Sequence, residues 1–470
     1  MALRVAFRRF MCNKPIYSTH RKCIRTLLSE AYGCNKVWSE RLQAPLLQNL
    51  DVSNYAIEIQ DTMERSGKVT SIDVDILANK LEKIDANQLD FVQNIINKFR
   101  LTLETVRARE SMSHAIVRAL MKFGETDRIL AMLVDKVNYG IFLDDYTANL
   151  LLDHFIEQEM YREAAVVAVD QMLQESFANP ITRYLSWYAC HMRLKTTPVS
   201  DMEVDPEPAE DDDGEEEKII KLKFIQLPWF DDHWDLNKDS LRIGKTLAAV
   251  TEEEENILGR SYHLIGLALW NKFAVALDFL ENIIKDGNAT ITKNAVDTLR
   301  SELESLETQE PPEEKKEPGL IRMQDVRPFF TAQEKEDLQS RFQTLLSDLE
   351  NADRVVDTDL EGELFEKVKS VIKVVEAHDI EDQTKLYRTW VEERQQLLEN
   401  QVKEYKEKQR RKEIADRLKE LQEKEEKLRF FEKRNQIKLA QSRAPKEISI
   451  EEFVEQEIFV APPGERGRKT

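Results

Sequence analysis

Two consecutive segments of 35 residues, 110–144 and 145–179, each read as a pair of short amphipathic helices. In the second, Leu150, Leu151 and Phe155 recur at helical spacing, followed by Ala164, Ala165, Val167, Ala168 and Met172. In the first, Ile116, Val117, Leu120, Ile129, Leu130 and Leu133 hold similar places. A unit of this size cannot bury its apolar face alone. It buries that face against its neighbours, so a period in this range specifies a helical solenoid and favours a binding scaffold over an enzyme.

The pattern extends in both directions. Residues 71–98 suggest an earlier pair (Ile76, Leu77, Leu81, then Leu89, Val92, Ile95, Ile96), with Asn79 standing 70 residues before Asn149. Residues 181–194 begin a further unit, which 201–217 interrupts with eleven acids, no base and two prolines. Such a stretch cannot bury enough apolar surface to offset its ordering entropy and is expected to be a disordered surface loop. Helical spacing resumes over 240–250, 257–270 and 273–284, and a Pro- and charge-rich linker follows at 308–318. Beyond it, helices are expected over 332–348 and 361–377, then a long charged helix over 384–440 without glycine or proline. Glycine and proline total 27 of 470 residues, and strand-like alternation is confined to 221–227, so the class is all-α. The expected divisions are 1–29, a targeting leader; 30–200, helical repeats; 201–217, the acidic loop; 218–307, further repeats; 308–331, a linker; 332–380, a helical region; 381–442, the long helix; and 443–470, a tail.

The first 29 residues hold seven Arg or Lys and no acid, with Phe7, Phe10 and Met11 on an apolar side, a mitochondrial import pattern. That places the chain in the mitochondrial matrix; the pattern does not fix the cleavage site, for which the region just after Arg25 is the candidate. The whole chain carries −20, and without the seven leader cations the body carries −27, unlike a free-standing nucleic-acid binder with a basic face. Nothing approaches the 18 apolar residues of a membrane span. Cys12, Cys23 and Cys34 lie in or beside the leader and only Cys190 in the body, which excludes a disulfide framework or a four-cysteine zinc site.

Motifs for chemistry are incomplete. Arg242-Ile243-Gly244-Lys245-Thr246 resembles the end of a phosphate loop, but Asp239 stands where the first glycine belongs and no βαβ strand precedes it. It is expected to be helix surface. The cluster 231–235 (Asp-Asp-His-Trp-Asp) fits no zinc or calcium spacing and reads as a polar turn. His114, His154, His191 and His263 fall in helices without a nucleophile partner, so catalysis, a cofactor and a small-molecule substrate find no support.

Two features bear on nucleic acid. Helical-pair arrays of the pentatricopeptide type present residues near the start of each first helix to unstacked RNA bases. Asn149, with Asp144 closing the preceding unit, forms one such candidate pair; the equivalents, His114 with Arg109 and Tyr184 with Asn179, depart from the usual pattern. One intact pair does not read a sequence, and Asn149 has a local capping role as its alternative. Second, residues 400–440 carry 14 Lys or Arg against 9 Asp or Glu, the one strongly basic part of the body. This stretch is either a solvated charged helix or a rod facing phosphates. Ile414, Leu418, Leu421 and Leu428 give two heptads of apolar seam broken at Glu425, leaving single helix and coiled coil both open. The candidate phosphate contacts are Arg410, Arg411, Lys412 and Arg417, with Lys98, Arg100, Arg107 and Arg109 beside the repeats.

Residues 133–177 resemble the pentatricopeptide-like family numbered twenty-seven in the small subunit of the animal mitochondrial ribosome. The joining turn Lys136, Val137, Tyr139, Gly140, Ile141 and Phe142 is the most specific element. Weaker similarities are Leu27-Leu28-Ser29 with Ala31-Tyr32, Lys98-Phe99-Arg100, and Trp390. The acidic stretch and the extended charged helix fall outside the family's core pattern. The resemblance implies a non-enzymatic ribosomal component touching small-subunit rRNA and neighbouring mitochondrial ribosomal proteins. The rival readings are a free matrix RNA-binding regulator and a protein–protein adaptor without RNA contact.

Overall fold

The computed structural model describes residues 27–202, 236–286, 289–308 and 330–443. The principal helices are α1 (Val52–Ser66), α2 (Ser71–Lys80), α3 (Leu89–Arg100), α4 (Glu110–Phe123), α5 (Thr126–Val134), α6 (Asp145–Glu157), α7 (Tyr161–Leu173) and α8 (Pro180–Thr196). They continue with α9 (Asp239–Thr251), α10 (Ile257–Leu269), α11 (Phe273–Lys285), α12 (Lys293–Ser305), α13 (Ala332–Asn351) and α14 (Leu360–Arg443). The one strand pair of the described residues, β1 (Ile291–Thr292) with β2 (Val355–Val356), is parallel and two residues long. The fold is an all-α helical solenoid. The acidic stretch from residue 203, the 221–227 alternation, the 231–235 cluster and most of the 308–331 linker lie outside the described residues.

The 35-residue period is literal: α4, α6 and α8 begin at Glu110, Asp145 and Pro180. The start of α8 has a local cause. Pro180 occupies the first turn of α8, where its missing N–H costs nothing, and the Asn179 side chain accepts from the Ile181 amide at 2.8 Å. Gly124 and Gly140, at φ 73° and 61°, supply the left-handed residue that ends a helix. At Gly140 a Cβ would meet only the flexible end of the Arg100 side chain, at 2.6 Å, so it is the positive φ that makes the joining turn need glycine.

The expected apolar positions form the core. Ile116, Val117, Leu120, Ile129, Leu133, Leu151, Phe155, Ala164, Val167 and Ala168 are all buried in one continuous cluster. Burial of each large side chain contributes about 1.5–3 kcal/mol. The phosphate-loop-like run lies in α9, but Gly244 is buried at a helix crossing rather than on the surface. A Cβ on Gly244 would meet the Trp270 backbone nitrogen at 2.6 Å, and one on Gly266 the Ala248 nitrogen at 2.5 Å. The glycine is there for close packing of α9 on α10.

Three boundaries differ from expectation. Leu27 and Leu28, expected in the leader, are buried, and both amides donate to Asp153 Oδ1 at 3.3 and 3.2 Å. The helices expected at 361–377 and 384–440 are one 84-residue helix, α14, because nothing between 378 and 383 breaks a helix. The contacts divide the chain at Gln395/Gln396, inside α14, rather than at the 308–331 linker.

Candidate nucleic-acid interface

Because successive first helices share a register, their fifth residues should share a face. Those residues are His114 in α4, Asn149 in α6 and Tyr184 in α8. In α2 the fifth residue is Asp75, not the Asn79 that the 70-residue offset selects. The interval from Ser71 to Glu110 is 39 residues, about one helical turn longer than the period.

In this chain that face is filled from within. Arg394 of α14 donates from Nε to Asp75 Oδ2 at 2.6 Å, with side-chain exposures of 3% and 0%. Ser111 donates to the other Asp75 oxygen at 2.5 Å. One repeat on, the ring of Tyr387 and that of Trp390 pack edge-on against His114 at 5.3 and 5.1 Å. Another repeat on, Asn149 Nδ2 donates to the Tyr32 hydroxyl at 2.8 Å, and Tyr32 in turn donates to Asp379 of α14. Asn179 holds the second Asp379 oxygen at 3.0 Å. Towards α8, Lys367 lies over the Tyr184 ring, Phe365 packs on Tyr188, and Glu361 pairs with Lys195. Residues 361–394 thus descend the repeats in order from α8 to α2.

The hydrogen-bond chain at His114 fixes its state. Asp144 can only accept as a carboxylate, so His114 Nδ1 donates to it at 3.0 Å. Nε2 then accepts from Tyr387 O–H at 2.9 Å, and the Tyr387 oxygen accepts from Arg118 at 2.8 Å. Burial pushes the His114 pKa below its ordinary value, despite Asp144, and keeps the imidazole neutral. Burial opposes the Asp144 carboxylate too, but His114 and Thr147 outweigh it and hold its pKa low.

Asn149 and Asp144, the candidate base-reading pair, are therefore brought together only inside this network. Asn149 is fully buried against Tyr32, and Asp144 is shared by His114 and Thr147. A nucleobase reaching Asn149 would first have to displace Tyr32. The Asn149 amide oxygen has no partner among the described residues.

The candidate phosphate contacts separate into two groups. Arg109 is bound to Glu393, and Arg100 is half-buried under Gly140, where desolvation lowers its pKa. Lys98 is exposed beside Glu64 at 3.5 Å, and Arg107 is exposed beside Glu104 at 3.6 Å. On α14, Arg410, Arg411, Lys412 and Arg417 all face solvent, and among the described residues only Arg411 of these is in an ion pair, to Glu407 at 3.7 Å. Residues 402–430 are exposed without interruption. The apolar seam residues Ile414, Leu418, Leu421 and Leu428 are exposed with them.

Sequence reasoning passed over Asp75, Arg118, Asp379, Tyr387 and Arg394. The signal for two of them was Tyr387 and Arg394 with Trp390 at i, i+7 and i+3, an amphipathic stripe in a charged helix. Tyr32 and Trp390 were noticed only as family similarities; the structure joins them through one network. Elsewhere, a cavity of about 440 Å³ is lined by His191, Lys195, Tyr262, Asn294, Asp359 and Glu361. His191 is bonded to the Tyr262 hydroxyl at 2.7 Å there. Among the described residues there is no cluster of metal-ligating side chains, and no helix is long and apolar enough to cross a membrane.

Residues 1–420 match the family described as mitochondrial 28S ribosomal protein S27. The matched span runs through the acidic stretch and along α14 as far as residue 420. With 420 of 470 residues covered, the chain belongs to the mitochondrial 28S ribosomal protein S27 family, a small-subunit ribosomal protein family of the mitochondrial matrix.

Proposed function

We propose that this chain is a non-enzymatic structural component of the mitochondrial small ribosomal subunit, meeting rRNA through phosphate contacts and packing on neighbouring ribosomal proteins. It needs no cofactor and takes no small-molecule substrate. The observation that carries this reading is the self-filled repeat face: Asp75, His114, Asn149 and Tyr184 are engaged by Arg394, Tyr387, Tyr32 and Lys367 of the same chain. A scaffold whose reading face is closed by its own helix has surface charge and shape left for RNA. Arg410, Arg411, Lys412 and Arg417, with Lys98 and Arg107, supply that charge; Arg100 and Arg109 contribute to the fold.

Packing on proteins is supported by apolar groups near the joining turn. Val134, Val137 and Phe142 are 75%, 48% and 49% exposed. Isolated apolar groups are ordinary on a surface, but several in one region mark interaction sites. Any leader ends before Leu27, since Leu27 and Leu28 belong to the core.

Sedimentation of lysed mitochondria in a density gradient tests the reading. The chain should travel with small-subunit rRNA and be released when the subunit is disassembled. Migration only at the size of the free protein contradicts it, and crosslinks to messenger RNA would favour the regulator.

A further inference from the structure

At about 100° per residue, Lys403, Lys406, Arg410, Arg417 and Lys424 fall within an arc of about 60° on α14. Between residues 400 and 443 that arc holds no acid; its other members are Leu421, Leu428, Asn435, Leu439 and Ser442. The acids of this stretch sit on either side of the arc. All five cations are exposed, and none makes an ion pair among the described residues. Off the arc, by contrast, Arg411 pairs with Glu407 and Arg429 with Glu425 at 3.0 Å. The cations on the opposite side, Lys408, Lys412, Lys419 and Lys433, share it with Glu426.

Lys403, Arg410, Arg417 and Lys424 recur every seven residues, so their charges stand about 10.5 Å apart along a rod, over about 31 Å in all. A straight helix cannot wrap a flexible strand. Its complement is a stiff ridge with negative charge spaced more closely than the cations. An RNA duplex, recognised by shape and phosphate contacts, supplies that ridge. We propose that this stripe is a docking edge for the phosphate backbone of an RNA duplex, and that Arg411 and Lys412 lie off it. The proposal rests on the phosphate-contact reading above and assigns it one side of one helix.

The test is fluorescence anisotropy of the full chain with an RNA duplex about as long as the stripe, against a single strand of the same length. Two matched charge-reversal variants are compared: Lys403→Glu, Arg410→Glu, Arg417→Glu, Lys424→Glu on the stripe, and Lys408→Glu, Lys419→Glu, Lys433→Glu, Arg434→Glu off it. The stripe variant should lose about 30-fold or more in duplex affinity and flatten the salt slope by about one per cation removed, the control under about 3-fold. Glutamine at the same stripe positions should give the same order with smaller losses, which excludes an effect of the added acids. Equal losses from both variants, or single strand bound as tightly as duplex, overturn the stripe while leaving phosphate contact standing. Failure of the unaltered chain to bind either RNA at low salt overturns both.

Discussion

Residues 360–395 and 400–440 belong to the same helix and behave as different materials. The first stretch carries nine acids and six bases, and it buries Leu364, Val368, Ile372, Tyr387, Trp390 and Arg394. The second carries 14 bases and nine acids and buries none of its described side chains. Both have good helix formers and i,i+4 pairs, so local propensity does not separate them. What separates them is whether the apolar and aromatic positions keep one face for long enough. Leu364, Val368, Ile372, Tyr387, Trp390 and Arg394 do so and become part of the solenoid. Ile414, Leu418, Leu421 and Leu428 keep one for two heptads and then meet Glu425.

The contrast can be broken by substitution. Asp75→Ala leaves Arg394 buried without its partner and should cost about 3–5 kcal/mol in urea unfolding. Glu407→Ala, which removes an exposed ion pair of the same type from the second stretch, should cost about 0.5 kcal/mol or less. A similar loss in both would erase the distinction. Tyr387→Phe removes the hydroxyl that serves both His114 and Arg118, at about 1–3 kcal/mol for the buried groups left unpaired. Leu418→Ala in the exposed seam should stay within about 0.5 kcal/mol. A loss of several kcal/mol at Leu418, growing with protein concentration, would instead reveal a coiled-coil partner.

The amino-terminal clip gives a pH signature. Burial raises the Asp153 pKa to about 6, with the Leu27 and Leu28 amides only partly offsetting it. A carboxyl whose folded pKa lies above its unfolded value stabilises the fold while protonated, and that stability is lost as pH rises through about 6. Asp153→Asn keeps an acceptor for both amides without the charge. Its stability relative to the parent should therefore increase from pH 4 to pH 7, as about one titrating group. A constant difference across that window would show that Asp153 does not carry the titration.

Much of the architecture was legible because solenoid cores are periodic. The 35-residue spacing of α4, α6 and α8 and the buried positions within them follow from the sequence pattern alone. Helices α1 and α12 carried the same signal, with Ala56, Ile59 and Met63 in one and Ala295, Val296, Leu299 and Leu303 in the other, but in short runs rich in polar residues. The site was less legible. Asn149 was found by its place in the repeat, yet its partner is 117 residues away at Tyr32, and Arg394 lies 319 residues from Asp75. Position within a repeat says which residues line a face and not what covers it. That depends on pairings at long separation that no local pattern encodes.

The central claim is that the repeat face is closed by residues 361–394 and that RNA meets the helix beyond them. Ultraviolet crosslinking of intact mitochondrial small subunits, with mass-spectrometric mapping of nucleotide adducts on this chain, tests it most directly. Adducts should fall within 396–443 and on exposed residues such as Lys98 and Arg107, and be absent from His114, Asp144, Asn149 and Tyr184. Nucleotide adducts on Asn149 or Asp144 would mean that the repeat face is open to RNA, and would contradict the account.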